Sequence, residues 1–193
     1  AYTGEVILSD LQLPAELFSY VIPVAEKLQL PCYLSYLKQR PRDWHKGLSG
    51  HVVVIGGDVG FSGAPRMAAM AALRVGAGLV TVACHPDNAI GMNIQTPEIM
   101  CRGIHSPEDL SSLLSRADVL VIGPGLGQSD WSKMIWQHVS QDITLPMVLD
   151  ADGLNLLAKA PISNDYWILT PHPGEAARLL QTDNEAIQED RLE

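Results

Sequence analysis

The chain has 193 residues, 47% of them hydrophobic and 18% charged, which supplies a sizeable core and excludes a disordered chain. A formal net charge of −9 argues against binding a nucleic-acid backbone, which needs clustered lysine and arginine. Cys32, Cys84 and Cys101 are odd in number, widely spaced and lack a CxxC pair, so free thiols in a reducing compartment fit better than a disulfide frame or a zinc site.

No stretch reaches the ~18 uninterrupted apolar residues of a membrane span. The opening AYTGEVILSD has no basic region ahead of an apolar one, so a cytoplasmic protein is expected. That opening also lacks an initiator Met, and NEAIQEDRLE at the far end reads as a helix only begun. The expectation is a chain cut at both ends.

Residues 1–47 differ from the rest. Pro14, Pro23 and Pro31 interrupt short apolar pieces, and the basic stretch KQRPRDWHK follows, which reads as an appendage or linker. From His51 the pattern is regular. VVVI (52–55) is a β-branched strand ending at Gly56-Gly57, and Ala64 to Val75 is helical. LVTVA (79–83) is the next strand. Pro107 stands in the first turn of the helix PEDLSSLLSR, with Ser106 as its N-cap. VLVI (119–122), a helix from Asp130 to Val139, MVLD (147–150), YWILT (166–170) and a helix opening near Gly174-Glu175 complete the series. Five apolar runs alternating with helices predict a parallel α/β sheet covered on both faces.

The unusual residues fall at the strand ends: GGD (56–58), CHP (84–86), GPGLG (123–127), DADGLN (150–155) and TPHPGE (170–175). The carboxyl edge of a parallel sheet is where ligands bind, because helix N-termini and backbone amides converge there. One such turn needs Gly, Pro and Asp for geometry alone; several in succession favour a site. GGDVGFSGA is neither a P-loop nor GxGxxG, yet Gly63 and Ala64 at the helix entrance leave space for a ligand. Gly123, Gly125 and Gly127 are expected to turn backbone N–H groups toward a phosphate or a flat ring. Asp150 and Asp152 either hold Mg²⁺ through water, the less favoured reading, or contact a sugar hydroxyl, or cap the helix (Asp152) and pair with a neighbouring amide (Asp150). His172 is fixed between two prolines and either reaches a ligand or is an exposed turn histidine, with Glu175 orienting a polar partner. His45 and Lys46 either bring a cation near the site or belong to a plain basic linker. His85, His105 and His138 have no metal-binding spacing.

Taken in order, HKG (45–47), VVVIGGDVGFSGA (52–64), AALRVGAGLVTVA (71–83), VIGPGLG (121–127), DADGLNLLA (150–158) and LTPHPGEAARLL (169–180) resemble the ADP/ATP-dependent NAD(P)H-hydrate dehydratases. These are the carbohydrate-kinase-related domain of a bifunctional nicotinamide nucleotide repair enzyme. The resemblance covers about residues 45–191, and GEVILSDLQLP resembles the end of the epimerase domain that precedes the dehydratase in fused forms. It implies an epimerase-like tail at 1–30, a linker at 31–47 and the N-terminal part of a dehydratase at 48–193. The implied fold is an incomplete three-layer ribokinase-like α/β domain with a mainly parallel sheet.

The implied reaction, a hydro-lyase one, dehydrates hydrated NADH or NADPH at the expense of ADP or ATP, with Mg²⁺ accompanying the nucleotide. The carry-over places hydrate binding on Ala64, Gly125 and His172, with Gly127 and Asn155 beside them. The family's lysine-containing KGAGT-like segment and the glycine-rich segment ending in its catalytic Asp do not occur up to Glu193, so the chain is expected to be inactive alone. The competing readings are a ribokinase-like kinase of a sugar or vitamin alcohol, and a non-catalytic nucleotide-binding module. An unpaired sheet edge predicts self-association into a homo-oligomer. No nucleic-acid or membrane partner is expected.

Overall fold

The structure, a computed structural model, describes residues 7, 9, 11–23, 28–35, 39–142 and 144–191. Within the GEVILSDLQLP tail, residues 4–6, Leu8 and Asp10 lie outside the described residues, as do Leu192 and Glu193. The chain divides into two compact units, one running to Arg40 and one spanning Pro41–Arg191. In the first, Pro14 leads into a 3₁₀ turn at Ala15–Tyr20, and Pro31 stands in the first turn of the four-residue helix α1 (Leu30–Tyr33). Neither element buries a residue.

The second unit is a six-stranded, all-parallel sheet. Its strands are β1 (His51–Ile55), β2 (Leu79–Cys84), β3 (Met100–Gly103), β4 (Val119–Ile122), β5 (Met147–Leu149) and β6 (Trp167–Leu169), in the order β3-β2-β1-β4-β5-β6. The helices are α2 (Gly63–Val75), α3 (Pro107–Leu114), α4 (Asp130–Asp142), α5 (Ala151–Lys159), α6 (Pro173–Leu180) and α7 (Asn184–Glu189). The chain runs outward from β1 to β3, returns to β4 beside β1, and then runs outward the other way. That reversal opens a crevice between the carboxyl ends of β1 and β4.

Five of these strands were legible as apolar runs; β3 was not. Its MCRG alternates exposed and half-buried positions along the edge of the sheet, so no apolar run marks it. The helix ends follow local chemistry. Ser106 caps α3 in a capping box with Asp109, as its sequence predicts. Gly76, in the left-handed conformation, closes α2 by returning its amide to Leu73.

Period-two alternation divides the core. Val53, Ile55, Leu120, Ile122, Met147 and Leu149 face the helices α3–α5, packing with Ile135, Trp136 and Leu154. Val54, Val80 and Val82 face α2, with Met92 and Ile99. The expectation of a sheet covered on both faces is met on the first side only. Val54, Val121, Val148 and Ile168 form one row across the sheet, and exposure climbs along it from none at Val54 to 63% at Ile168. Helix α2 packs on β1 and β2, and among the described residues no helix covers the β4–β6 half of that face. No described helix is long and apolar enough to cross a membrane.

Candidate functional site

The loops leaving β1 and β4 meet backbone to backbone at the crevice. The amides of Gly57 and Asp58 both donate to the Gly125 carbonyl, at 2.7 and 2.9 Å. A Cβ on Gly56 would collide with the Pro124 carbonyl, and one on Gly125 would stand 2.5 Å from the Phe61 carbonyl oxygen. Gly123 carries φ +121°, and a side chain there would strike the backbone of Asp150. The glycines of GPGLG therefore serve first to let three loops pack against each other, those after β1, β4 and β5.

This corrects the expectation that all three turn their amides to a ligand. The Gly123 amide donates to the Ile55 carbonyl and the Gly127 amide to Asp152 Oδ2 at 2.9 Å. Gly125 alone keeps an N–H without a hydrogen-bond partner among the described residues. Ala64 lies in the first turn of α2, which has no side-chain cap, and a Cβ on Gly63 would meet nothing within 4 Å. Pro65, the next residue, places its Cδ 3.1 Å from the Cβ position of Gly125, so the first turn of α2 packs beside Gly125.

The two aspartates of DADGLN are placed otherwise than expected. Asp150, not Asp152, occupies the N-cap position of α5, and it makes no side-chain cap bond. Its Oδ1 accepts from Thr170 Oγ1 at 2.9 Å, tying β5 to β6. Asp152 takes the amide of Gly127 on one oxygen and Asn155 Nδ2, at 3.2 Å, on the other. Asn155 Oδ1 then accepts from Arg178 Nη1 at 2.6 Å. Arg178 Nε donates to the Gly174 carbonyl, and the Gly174 amide to His172 Nδ1, each at 3.1 Å. A continuous hydrogen-bond relay thus joins Gly127, Asn155 and His172, three of the predicted site residues, through Asp152, Arg178 and Gly174.

His172 is the N-cap of α6 and exposed, with 62% of its side chain accessible, while Glu175 is buried beneath it. The His172 amide donates to Glu175 Oε2 at 2.9 Å. Because Nδ1 accepts from Gly174, the ring proton sits on Nε2, 3.3 Å from Glu175 Oε1. The imidazole is exposed yet held in one orientation.

Sequence reasoning missed Asp58 and Arg178. Asp58 is buried, accepts from the Val59 amide at 2.8 Å, and has Oδ2 3.3 Å from Ser132 Oγ. It lies where a Gly127 side chain would be, so the acid after the glycine pair braces the neighbouring loop. Arg178 carried a readable signal, a long cation one helical turn beyond Gly174. Lys46 is excluded from the edge: its carbonyl packs against Gly78 at the start of β2, the opposite end of the strands. His85 packs against Trp131, His138 bonds Ser111, and His105 gives only its backbone amide to Asp109.

The family model described as NAD(P)H-hydrate dehydratase (Carb_kinase) matches residues 52–193. The chain belongs to this family. A bifunctional NAD(P)H-hydrate repair enzyme of Coxiella burnetii is 50% identical over all 193 residues, which make up 39% of that protein. Among solved structures, a ribokinase-like superfamily protein of Enterococcus faecalis superposes with TM-score 0.68 at 31% identity, over 80% of this chain and 57% of that one. The ADP/ATP-dependent NAD(P)H-hydrate dehydratase of Bacillus subtilis, co-crystallised with ATP and Mg²⁺, gives TM-score 0.65 at 26% identity, over 79% and 55%. The fold is therefore that of the ribokinase-like dehydratases, and the chain spans well under two thirds of these relatives.

Proposed function

We propose that this chain forms the hydrate-binding part of an enzyme that returns hydrated NADH or NADPH to NAD(P)H, driven by ADP or ATP. The observation that carries the reading is that family-matched loops gather along one carboxyl edge, Ala64 and the free amide of Gly125 at the β1/β4 crevice and the oriented ring of His172 after β6, tied to them by the hydrogen-bond relay. The hydroxyl of a hydrate is a poor leaving group. Phosphoryl transfer from the nucleotide makes it a good one, and elimination restores the ring. In this division of labour the Gly125 amide offers a donor to the polar groups of the hydrated coenzyme and the exposed His172 ring, held by Gly174 and Glu175, packs against it, while Gly127 and Asn155 hold the loops in register.

The chain alone is inert in this reading. Asp58, Asp152 and Glu175 spend their carboxylates holding loop and helix backbone, and Asp150 Oδ1 is taken by Thr170, so these four acids read as bracing groups. Mg²⁺ would come with the nucleotide; among the described residues no three His, Cys, Asp or Glu side chains gather to hold a metal ion. The open β4–β6 face and exposed Ile168 and Leu169 support a domain completed by further chain or by a second copy. The reducing cytoplasm suits the free thiols.

The test uses the complete gene product. Recovery of NADH absorbance from hydrated NADH with ADP or ATP, and none from the 193-residue chain, is the expected result. Phosphorylation of a sugar or vitamin alcohol without such recovery would sink the proposal. Turnover by the 193-residue chain at the complete protein's rate would overturn its inertness.

A further inference from the structure

Cys84 and Cys101 are separated by 16 intervening residues, yet their sulfurs lie 3.6 Å apart in the fold. Val82 is the direct partner of Cys101, and Cys84 that of Gly103. The two cysteines are therefore diagonal neighbours on adjacent parallel strands, and both pack with the core beneath α2. Cys84 ends β2 and is fully buried; Cys101 lies on the edge strand β3 and is partly exposed.

We infer that Cys84 and Cys101 are a modification site, a dithiol that a hydroperoxide closes to an intramolecular disulfide beneath the loops of the candidate site. The inference is independent of the proposed reaction.

Their environments divide the labour. The Cys84 S–H donates toward Cys101 Sγ, and the backbone amide of Arg102 does the same, so Cys101 is held below the ordinary thiol range against the opposing effect of burial. The same sulfur–sulfur bond, followed by burial, holds Cys84 well above that range. The accessible sulfur is thus the better thiolate, and the buried one keeps its proton.

Chemically, the Cys101 thiolate attacks one peroxide oxygen and the O–O bond breaks. This leaves Cys101 as a sulfenic acid and, after taking up a proton, releases water from hydrogen peroxide or an alcohol from an organic hydroperoxide. The Cys84 sulfur then attacks the sulfenic sulfur and expels water, formed from the sulfenic hydroxyl and the Cys84 proton. Two thiols lose two electrons in all, and one peroxide is reduced. A bond of ~2.05 Å requires the sulfurs to approach by roughly 1.5 Å. Cys84 is fixed, because its carbonyl accepts from the Ile104 amide and its Cβ fills the space over Gly57. The movement falls on β3, four residues long and paired to β2 alone.

Arg74 and Arg102 leave both cysteines on one tryptic peptide, residues 75–102. The complete gene product is treated with hydrogen peroxide, its remaining thiols are blocked with N-ethylmaleimide, and it is digested without reduction. The expected result is this peptide lighter by two hydrogen atoms and unblocked, with two thiols lost from a denaturing thiol titration and reduction restoring both. Cys84→Ser should leave Cys101 as a sulfenic acid that dimedone labels, and Cys101→Ser should leave Cys84 unoxidised. Peptide 75–102 carrying two N-ethylmaleimide groups after treatment that oxidises the exposed Cys32 would overturn the inference. So would dimedone labelling of Cys84, or a sulfinic acid at Cys101 with no bridge. The wild-type peptide decides the matter even if a serine variant folds poorly.

Discussion

At the scale of single residues, the candidate site is a packing problem before it is a binding one. Gly123 needs a positive φ and a bare Cα because Asp150 presses on it. Gly123→Ala is expected to cost more than the ~1–3 kcal/mol of backbone strain alone, since a backbone collision is added to it, and urea unfolding would show the loss. Arg178 poses the opposite case. It is exposed, so Arg178→Ala should remove no more than about 1 kcal/mol of stability. It also frees Asn155 and Gly174 together, and with them the support of His172. In the complete protein that variant is expected to raise KM for hydrated NADH several-fold with its melting temperature nearly unchanged; an unaltered KM would show that the relay does not position the site.

At the scale of elements, sequence and structure agree where a local rule decides and part where neighbours do. Ser106 illustrates the first. Its hydroxyl accepts from the Asp109 amide and donates to the Glu108 carboxylate, which that hydroxyl and a backbone amide hold below the ordinary carboxylate range. A depressed carboxyl contributes stability above the unfolded chain's titration range and loses it as pH falls through the folded value. Ser106→Ala should cost ~1 kcal/mol at neutral pH through the lost cap alone, and, by releasing Glu108, leave a shallower fall in stability on acidification. Melting curves at pH 7 and in acid compare the two slopes. Strand β3 illustrates the second. MCRG has no apolar pattern because an edge strand with a single partner needs none, and only its register beside β2 makes it a strand.

At the scale of the whole molecule, one face of the sheet is covered by α2 over β1 and β2 and, among the described residues, bare over β4–β6. The row from Val54 to Ile168 passes from full burial to exposure, and Trp167 keeps a buried indole N–H without a partner among the described residues. Alone, the 193-residue chain is expected to self-associate through this apolar face, and Ile168→Lys to weaken that association. Light scattering across a concentration series measures both. A monomer at every concentration would show that β6 closes the sheet unaided.

The sequence by itself determined that this is a parallel α/β protein with glycine, aspartate and histidine gathered at the carboxyl ends of its strands. Strand periodicity, turn residues and helix caps are local, and the order of loop motifs needs no coordinates to be read. Ala64, Gly125, Gly127, Asn155 and His172 were all named from those motifs. Tertiary structure alone decided what their neighbours do: Asp152 takes the Gly127 amide, Asp58 braces the same loop, and Arg178 carries the relay to His172. It also set Lys46 at the opposite edge and brought Cys84 against Cys101. These are contacts between segments far apart in the chain, fixed by strand order and register, and neither composition nor spacing encodes a strand order.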